Sequence, residues 1–348
     1  MSSERPGALA SVRRYSASSL TGVGVAGVVL FVLALVPSLA DGSIVNRLTQ
    51  LFSLLVLAVG WNLLAGYGGL VSIGQQAFLG LSSYIVLYLS LHGVLAWWGA
   101  PLAIVIVGLV SVPISFLAFR LRGSFFAIGT WVIADVCLLV VAQIESLGGG
   151  AGASLNDLNG YSPTTVSNVT YWVGLTIVAA TLIGTALLLR SGFGMALVSI
   201  RDDERAAEAT GVNVARTKRI VYVLSAAICA GAGALLILAN LEVQPDSTFS
   251  VQYSAFMIFM VLVGGIGTFE GPIVGAIIFF ALQQWLSSYG VWYLIILGAV
   301  AVIVTLWLPK GIWGAVDPTN RRSLVPLRHR VVLNHDGAAP LARKCEVP

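Results

Sequence analysis

The chain has 348 residues, of which 57% are hydrophobic and only 10% charged, with a mean hydropathy of +0.92 and a formal net charge of +4. Soluble domains carry about 25% charged residues, so this composition excludes a soluble protein and indicates a polytopic membrane protein. The basic balance is explained by cationic loops on one membrane face, without nucleic-acid binding. The three cysteines are far apart and show no metal-ligand spacing, and no cofactor motif occurs.

Apolar segments of about 20 residues predict membrane-spanning helices. Ten follow one another, at about 22–40, 48–66, 77–96, 101–119, 125–144, 171–189, 220–239, 252–266, 272–288 and 291–308. The predicted fold is therefore all-α, a polytopic membrane bundle of about ten transmembrane helices. The third and eighth segments adjoin Gly-rich sequence, which predicts that they are broken or re-entrant.

The distribution of basic residues predicts the orientation of these helices. With ten spans and a cytoplasmic N-terminus, 18 of the 19 Lys and Arg residues lie inside and only Arg47 lies outside. Both termini are then cytoplasmic, with tails at 1–20 and 310–348 flanking a membrane domain at 21–309. An alternative for the first span is a cleaved signal peptide, because Arg13 and Arg14 precede an apolar run that ends in Ser38-Leu39-Ala40.

Polar residues inside the spans are candidates for a passage. Gly-rich sequence at 66–80 favours a broken helix, and such breaks are tolerated in membranes only where they are buried in protein or line a wet cavity. Ser72, Gln75 and Gln76 lie in this segment. They either line a passage or hydrogen-bond between tightly packed helices. Two further candidates lie within spans, Asn62 and Asp135. Asn62 fits an inter-helix hydrogen bond better than a ligand contact, and Asp135 can pair with a substrate ammonium group or with a partner helix.

The loop at 190–219 interrupts the apolar pattern with six of the 19 basic residues and four of the 15 acidic ones. Good helix formers predict a short helix from Arg201 to Thr210. Asp202, Asp203 and Glu204 favour its N-terminus, and Gly211 is suited to end it with a left-handed turn. Such a helix can dock on a soluble partner, although a solvated loop that only anchors the topology explains the same charges.

Sequence signatures of catalysis are missing from the chain. It has no GxxxxGK[ST] phosphate loop, no HExxH and no GxSxG. We therefore expect no enzymatic activity and no bound metal. An ion-driven carrier usually needs several ionisable groups in the membrane, and the spans contain one clear carboxylate.

Several segments resemble those of a known family. Ala206-Ala207 followed after three residues by Gly211 resembles the EAA-xxx-G loop of permeases in ATP-binding cassette importers, although Arg205 replaces its Glu, and Val221, Val223 and Leu224 replace its Ile-x-Leu-Pro. Four further segments resemble those of branched-chain amino-acid permeases, the LivM type in particular. They are NLLAGYGGLVSIGQQAFLGLSSY at 62–84, GSFFAIGTWVIADV at 123–136, MVLVGGIGTFEGPIVGA at 260–276 and LPKGIWG at 308–314.

This resemblance implies a permease subunit of the inner (plasma) membrane that imports branched-chain or related amino acids. Its implied partners are a second permease of the LivH type, two ATP-binding cassette subunits that hydrolyse ATP, and an extracytoplasmic solute-binding protein. A helix at 195–211 is expected to couple to the ATPase through Asp202, Asp203, Glu204, Arg205, Ala206, Ala207 and Gly211. The alternatives are a permease for urea or short amides, an ATP-independent carrier, and a structural membrane scaffold.

Overall fold

The structure is a computed structural model that describes residues 10–13, 17–121, 123–286, 289–290, 292–308, 310–316 and 330–333. An apolar helix coincides with each of the ten predicted spans. These helices are α1 (Ala17–Leu39), α2 (Gly42–Asn62), α3 (Gln76–Leu91), α4 (Ala96–Ala118), α5 (Ser124–Ala142), α6 (Pro163–Arg190), α9 (Val214–Asn240), α11 (Gln252–Gly264), α12 (Gly271–Leu286) and α13 (Trp292–Trp307).

The remaining elements are short. A π-helical turn, Leu63–Tyr67, extends α2, and 3-10 turns lie at Glu145–Leu147 and Gly149–Ala151. The short helices are α7 (Gly192–Asp202), α8 (Glu204–Ala209), α10 (Pro245–Thr248) and α14 (Gly311–Val316). Four strands form two antiparallel pairs, β1 (Ala10–Arg13) with β4 (Arg330–Leu333) and β2 (Ala153–Ser154) with β3 (Glu242–Val243).

The predicted class, an all-α membrane protein with many spans, is confirmed. Seven helical stretches among the described residues are long and apolar enough to cross a membrane, and α10 and α11 form one of these together. Three apolar helical stretches are shorter, within α1, α3 and α12. The count of ten crossings therefore stays a prediction.

The centre of the bundle is formed by α2 and α9. In their apolar windows 78% and 67% of the residues are buried, compared with 22% in α5. Small residues allow α9 to pack closely against α3 as well, since a Cβ on Gly233 would lie 2.0 Å from the carbonyl oxygen of Leu79. Serine hydroxyls also join the helices. Ser225 Oγ donates to the carbonyl oxygen of Gly60 at 2.7 Å, and Ser83 Oγ donates to that of Gly233 at 2.8 Å.

The segments predicted to lie outside meet at one end of the bundle. The short β2–β3 pair joins the 145–162 loop to the end of α9, and the Asp157 carboxylate accepts from the backbone N–H of Ala96 at 2.7 Å. The sixth span begins at Pro163 and not near 171 as predicted. Ser162 is its N-cap and proline occupies the first turn, a combination that starts a helix even though the following residues are polar.

The third and eighth spans are short continuous helices, α3 and α11, and their re-entrance stays a prediction. Backbone at 68–75, called the break below, separates the π-helical turn from α3, a helix of 16 residues. The eighth predicted span, 252–266, coincides with α11, and the short helix α10 precedes it across residues 249–251. The buried Phe249 ring lies there against Gly80, where a Cβ would be 2.5 Å from it, and it stacks on Tyr84.

Most of the two predicted tails lies outside the described residues. β1 and β4 come from these tails, and their pairing sets Ala10 opposite Leu333 and Arg13 opposite Arg330.

Candidate functional site

The charged loop between α6 and α9 folds into an elbow made of α7 and α8. Asp203 separates the two helices with an extended backbone at φ −155° and ψ 112°. Its carboxylate caps α8 by accepting from the N–H groups of Arg205 and Ala206 at 2.9 and 3.0 Å. The predicted single helix over 195–211 is therefore wrong, because the cap that starts α8 also ends α7.

The end of α8 was predicted at Gly211, and this is confirmed. Gly211 has φ +89° and its N–H donates to the carbonyl oxygen of Glu208 at 2.9 Å. The N–H of Val212 donates to that of Ala207 at 3.2 Å. These paired bonds form a Schellman motif, which satisfies carbonyl groups that a helix end leaves unbonded.

The two alanines of the predicted docking surface, Ala206 and Ala207, differ in exposure. Ala207 is buried and packs with Ile200 and Val214 in a small core of the elbow. Ala206 and Ala209 are exposed, as is Arg205. A partner that docks on α8 would therefore contact Ala206 and Ala209, whereas Ala207 holds the elbow together.

An ion pair fixes the elbow to the start of α9, and a cation–π contact joins α9 to α4 beside it. Lys218 Nζ lies 2.6 Å from the carboxylate of Glu204, and the Arg219 guanidinium lies 4.6 Å from the Phe116 ring centroid. A cleft of about 1240 Å³ separates α8 from the break. Its lining includes residues 69–71, the ends of α4 and α5, and the Glu204, Arg205 and Glu208 side chains.

The second half of the break is largely buried, at Ser72, Gly74 and Gln75, and three neighbouring helices hold it. Trp61 Nε1 donates to the carbonyl oxygen of Ser72 at 2.9 Å. Thr130 Oγ1 on α5 accepts from the N–H of Ile73 at 3.3 Å, and Ser254 Oγ on α11 donates to the carbonyl oxygen of the same residue at 2.9 Å. The carbonyl group of Ser72 and both backbone groups of Ile73 are thus bonded to protein, as a membrane interior requires.

Three of the predicted passage residues meet at this break. The Ser72, Gln75 and Gln76 side chains are fully buried. Ser72 Oγ accepts from the N–H of Gly74, and Gln76 Oε1 bonds to the Ser254 hydroxyl. Within the part of the chain that the structure describes, neither polar atom of the Gln75 side chain has a hydrogen-bond partner.

Asn62 lies away from the break and has a structural bonding pattern. Its Oδ1 accepts from the N–H of Gly267 at 2.9 Å, and its Nδ2 donates to the carbonyl oxygen of Thr268 at 2.8 Å. Both groups belong to the connection between α11 and α12 at 265–270, called the inner turn below. These bonds engage both the oxygen and the nitrogen of the amide in joining α2 to the inner turn, the arrangement expected of a structural inter-helix contact.

Asp135 differs from the other candidates because its side chain is exposed. It lies near the middle of α5, between Trp131 and Leu139, which are 43% and 59% exposed. Among the described residues its carboxylate makes no hydrogen bond or ion pair. A carboxylate in the middle of an apolar span costs about 2.5–3.5 kcal/mol when it faces lipid, so this surface is suited to a protein or aqueous contact.

Three residues of these sites were missed in the sequence, Arg201, Thr130 and Ser254. Thr130 and Ser254 are single polar residues in apolar runs, a weak signal that many inert residues share. No group of three or more His, Cys, Asp or Glu residues that could hold a metal occurs in the described ranges.

Comparison with known proteins identifies the family. Residues 43–305 match the family described as "Branched-chain amino acid transport system / permease component". The chain is 27% identical over 326 residues to the high-affinity branched-chain amino acid transport system permease protein LivM of Salmonella typhimurium, covering 83% of this chain and 76% of that protein. It is 26% identical over 319 residues to LivM of Escherichia coli, covering 84% and 75%.

A more distant similarity extends to sugar transport. The ribose import permease protein RbsC of Bacillus subtilis is 28% identical over 142 residues, covering 39% of this chain and 44% of that protein. Among solved structures, none matches the chain significantly. Since the family match covers most of the chain and all but the first of the ten apolar helices, this protein belongs to the permease-component family of branched-chain amino acid transport systems.

Proposed function

We propose that the chain is a permease subunit of an ATP-driven importer for branched-chain or related amino acids in the inner (plasma) membrane. The family match over residues 43–305 carries this proposal. The subunit assembles with a second permease of the LivH type, two ATP-binding cassette subunits and an extracytoplasmic solute-binding protein. It performs no chemistry itself, and the ATPase subunits supply the energy.

The elbow is the surface that meets the ATPase. It is the most charged part of the described chain, and its helix α8 presents Ala206 and Ala209 between charged side chains. Small exposed side chains allow close approach of a second helix or a cleft wall, and Glu204, Arg205 and Glu208 supply polar contacts around them. Asp203 and Gly211 contribute by fixing the two ends of α8, and Asp202 by bonding to Arg201.

Bulky substitution of Ala206 tests this surface. The Ala206→Trp variant adds a large side chain at an exposed position, so the elbow should fold while its contact with the ATPase is blocked. We expect substrate-stimulated ATP hydrolysis and uptake in proteoliposomes to fall roughly tenfold, which corresponds to about 1.4 kcal/mol. Undiminished stimulation and uptake would refute the docking surface. Ala207→Trp serves for comparison, because a large side chain at this buried position should unfold the elbow itself.

The passage lies along the exposed face of α5, between this chain and the second permease. Asp135 supports this placement because its carboxylate is not suited to lipid. Thr130 on the buried face of the same helix contacts the break, so α5 connects the passage to Ser72, Gln75 and Gln76. A carboxylate on the passage wall can pair with the ammonium group of an amino acid.

Substitution of Asp135 separates the possible roles of its charge. In Asp135→Asn, we expect an assembled complex whose KM for amino-acid uptake rises roughly tenfold, the effect of about 1.4 kcal/mol. Loss of assembly with the second permease would instead assign the carboxylate to a partner helix. An Asp135→Leu variant with normal uptake and higher stability would place this face against lipid and refute the proposal.

A further inference from the structure

Arg201 extends from the elbow into the membrane bundle. It lies in the last turn of α7, and its Nη1 donates to the carbonyl oxygen of Gly66 at 3.0 Å. The backbone donors that follow Gly66 are bonded elsewhere, since the N–H groups of Gly69 and Leu70 donate to Ala65 and Leu64. Arg201 therefore provides a hydrogen bond that the end of the helix leaves open.

Glycines form a narrow slot around this arginine. A Cβ on Gly69 would lie 3.2 Å from Arg201 Cγ, and a Cβ on Gly267 would lie 3.0 Å from Arg201 Nη1. Both glycines have positive φ, +67° and +72°, a backbone conformation that other residues rarely adopt. Gly69 belongs to the break and Gly267 to the inner turn, so the slot is built from two separate parts of the membrane domain.

Asp202 holds the opposite edge of the Arg201 guanidinium. Its Nε and Nη2 both donate to Asp202 Oδ1, at 3.1 and 2.9 Å. The planar group thus binds the elbow along one edge and Gly66 with the remaining nitrogen. A lysine has a single rotatable ammonium group and cannot reproduce this division.

No comparable connection joins α8 to the break in the described part of the chain, because the cleft lies between them. After Gly66 the chain continues into the break, residues 68–75. The backbone of the break is hydrogen-bonded to Thr130 on α5 and to Ser254 on α11. If Arg201 moved Gly66, the motion would therefore be transmitted to both α5 and α11. Gln75 ends this segment, and Gln76 begins α3 directly after it.

We propose that Arg201 is the positioning residue through which movement of the elbow reaches the break and so the passage. This inference rests on the proposed function, because it requires an ATPase that moves the elbow. It adds a specific mechanical link: the Arg201 side chain, held in the glycine slot, couples α7 to the break and to the inner turn.

The test compares Arg201→Gln with Arg190→Gln in the full complex. Both variants remove one positive charge from the same loop, but the Arg190 side chain, at the end of α6, makes no hydrogen bond or ion pair within the described residues, whereas Arg201 bonds to Gly66 and Asp202. For Arg201→Gln we expect an assembled complex with nearly unchanged basal ATP hydrolysis and a roughly tenfold fall in solute transported per ATP, given the strength of hydrogen bonds from charged donors. Arg190→Gln should behave like the wild type.

The number of solutes transported per ATP is the decisive readout. A merely structural role for Arg201 would lower thermal stability, hydrolysis and uptake together and leave this ratio unchanged, which would overturn the proposal. If Arg201→Gln does not assemble, Arg201→Lys provides the measurement, since lysine keeps the charge and one donor to Gly66. We expect the lysine variant to assemble with a ratio reduced roughly threefold, and an unchanged ratio would overturn the proposal.

The Ala206→Trp variant distinguishes this inference from the proposed function. If Ala206→Trp abolishes coupling while Arg201→Gln retains the wild-type ratio, the elbow docks as proposed and the Arg201 link is wrong. If Arg201→Gln lowers the ratio while Ala206→Trp has no effect, the link is supported and the docking surface on α8 is wrong.

Discussion

Ser254 donates its hydroxyl hydrogen to the carbonyl oxygen of Ile73 at 2.9 Å, and this bond joins α11 to the break. With 13 residues, α11 is the shortest of the ten apolar helices. The first turn of α11 lies beside the first turn of α3, as shown by the contact between the Ser254 hydroxyl and Gln76. The first turns of two short helices therefore meet inside the bundle, next to non-helical backbone.

Replacement of Ser254 by alanine tests the strength of this junction. The variant leaves the Ile73 carbonyl and the Gln76 side chain without their donor, and we expect a loss of about 1–2 kcal/mol in the free energy of unfolding. Heat-induced loss of monodisperse protein in detergent measures the effect. Ser247→Ala is the control, because Ser247 is exposed and bonds only within its own turn. Equal stability of the two variants would contradict the junction.

Asn62→Leu should destabilise the connection between α2 and the inner turn. The substitution keeps the approximate volume but removes both the acceptor for Gly267 N–H and the donor to the Thr268 carbonyl. Each unbonded buried group costs about 1–3 kcal/mol, so we expect much less folded protein. The measurement is the yield of monodisperse protein, compared with Asn159→Ala in the exposed outer loop. A normal yield for Asn62→Leu would show that these bonds contribute little.

Gly233→Ala should disturb the packing of α9 against α3. The new Cβ would lie 2.0 Å from the carbonyl oxygen of Leu79, which is backbone and cannot rotate away. We expect a loss of about 1–3 kcal/mol, typical of overpacking. Gly298→Ala on α13 is the matched control, since no atom lies within 4 Å of its added Cβ. Thermal stability that is the same in both variants would argue against this close contact.

Asp203→Ala should weaken the start of α8. It removes both hydrogen bonds of the cap, at a cost of about 1 kcal/mol, whereas Asp203→Ser keeps an acceptor and should recover most of it. If α8 is the docking helix, the affinity of the purified permease for the ATPase subunit falls roughly fivefold in the alanine variant. Titration of the ATPase subunit measures this affinity. A serine variant no better than alanine would indicate that the charge of Asp203, and not its cap, matters.

The positions of the ten apolar helices were predictable because the signal is local. A run of about 20 apolar residues has few alternatives to a buried helix, and each of the ten predicted segments coincides with one. The exact ends were less predictable. The start of α6 depends on Ser162 and Pro163, whose capping geometry outweighs the polarity of the residues that follow.

The sites were only partly predictable because they depend on contacts between distant segments. A break in the helix was expected at Ser72, Gln75 and Gln76, because the glycines that surround them in the sequence at 66–80 favour one. The Arg201 slot needs Gly66, Gly69 and Gly267 to meet, and no pattern within any one segment indicates this meeting. The bend at Asp203 was also missed, because aspartate favours a helix start and does not show whether another helix precedes it.

The most direct test of the central claim is the energy dependence of uptake. Labelled leucine uptake is measured in proteoliposomes that contain this chain, the second permease, the ATPase subunits and the binding protein, with and without ATP. We predict uptake that requires ATP and disappears when hydrolysis-deficient ATPase subunits replace the active ones. Uptake that continues without ATP in vesicles containing this chain alone would contradict the proposed importer and identify an independent carrier.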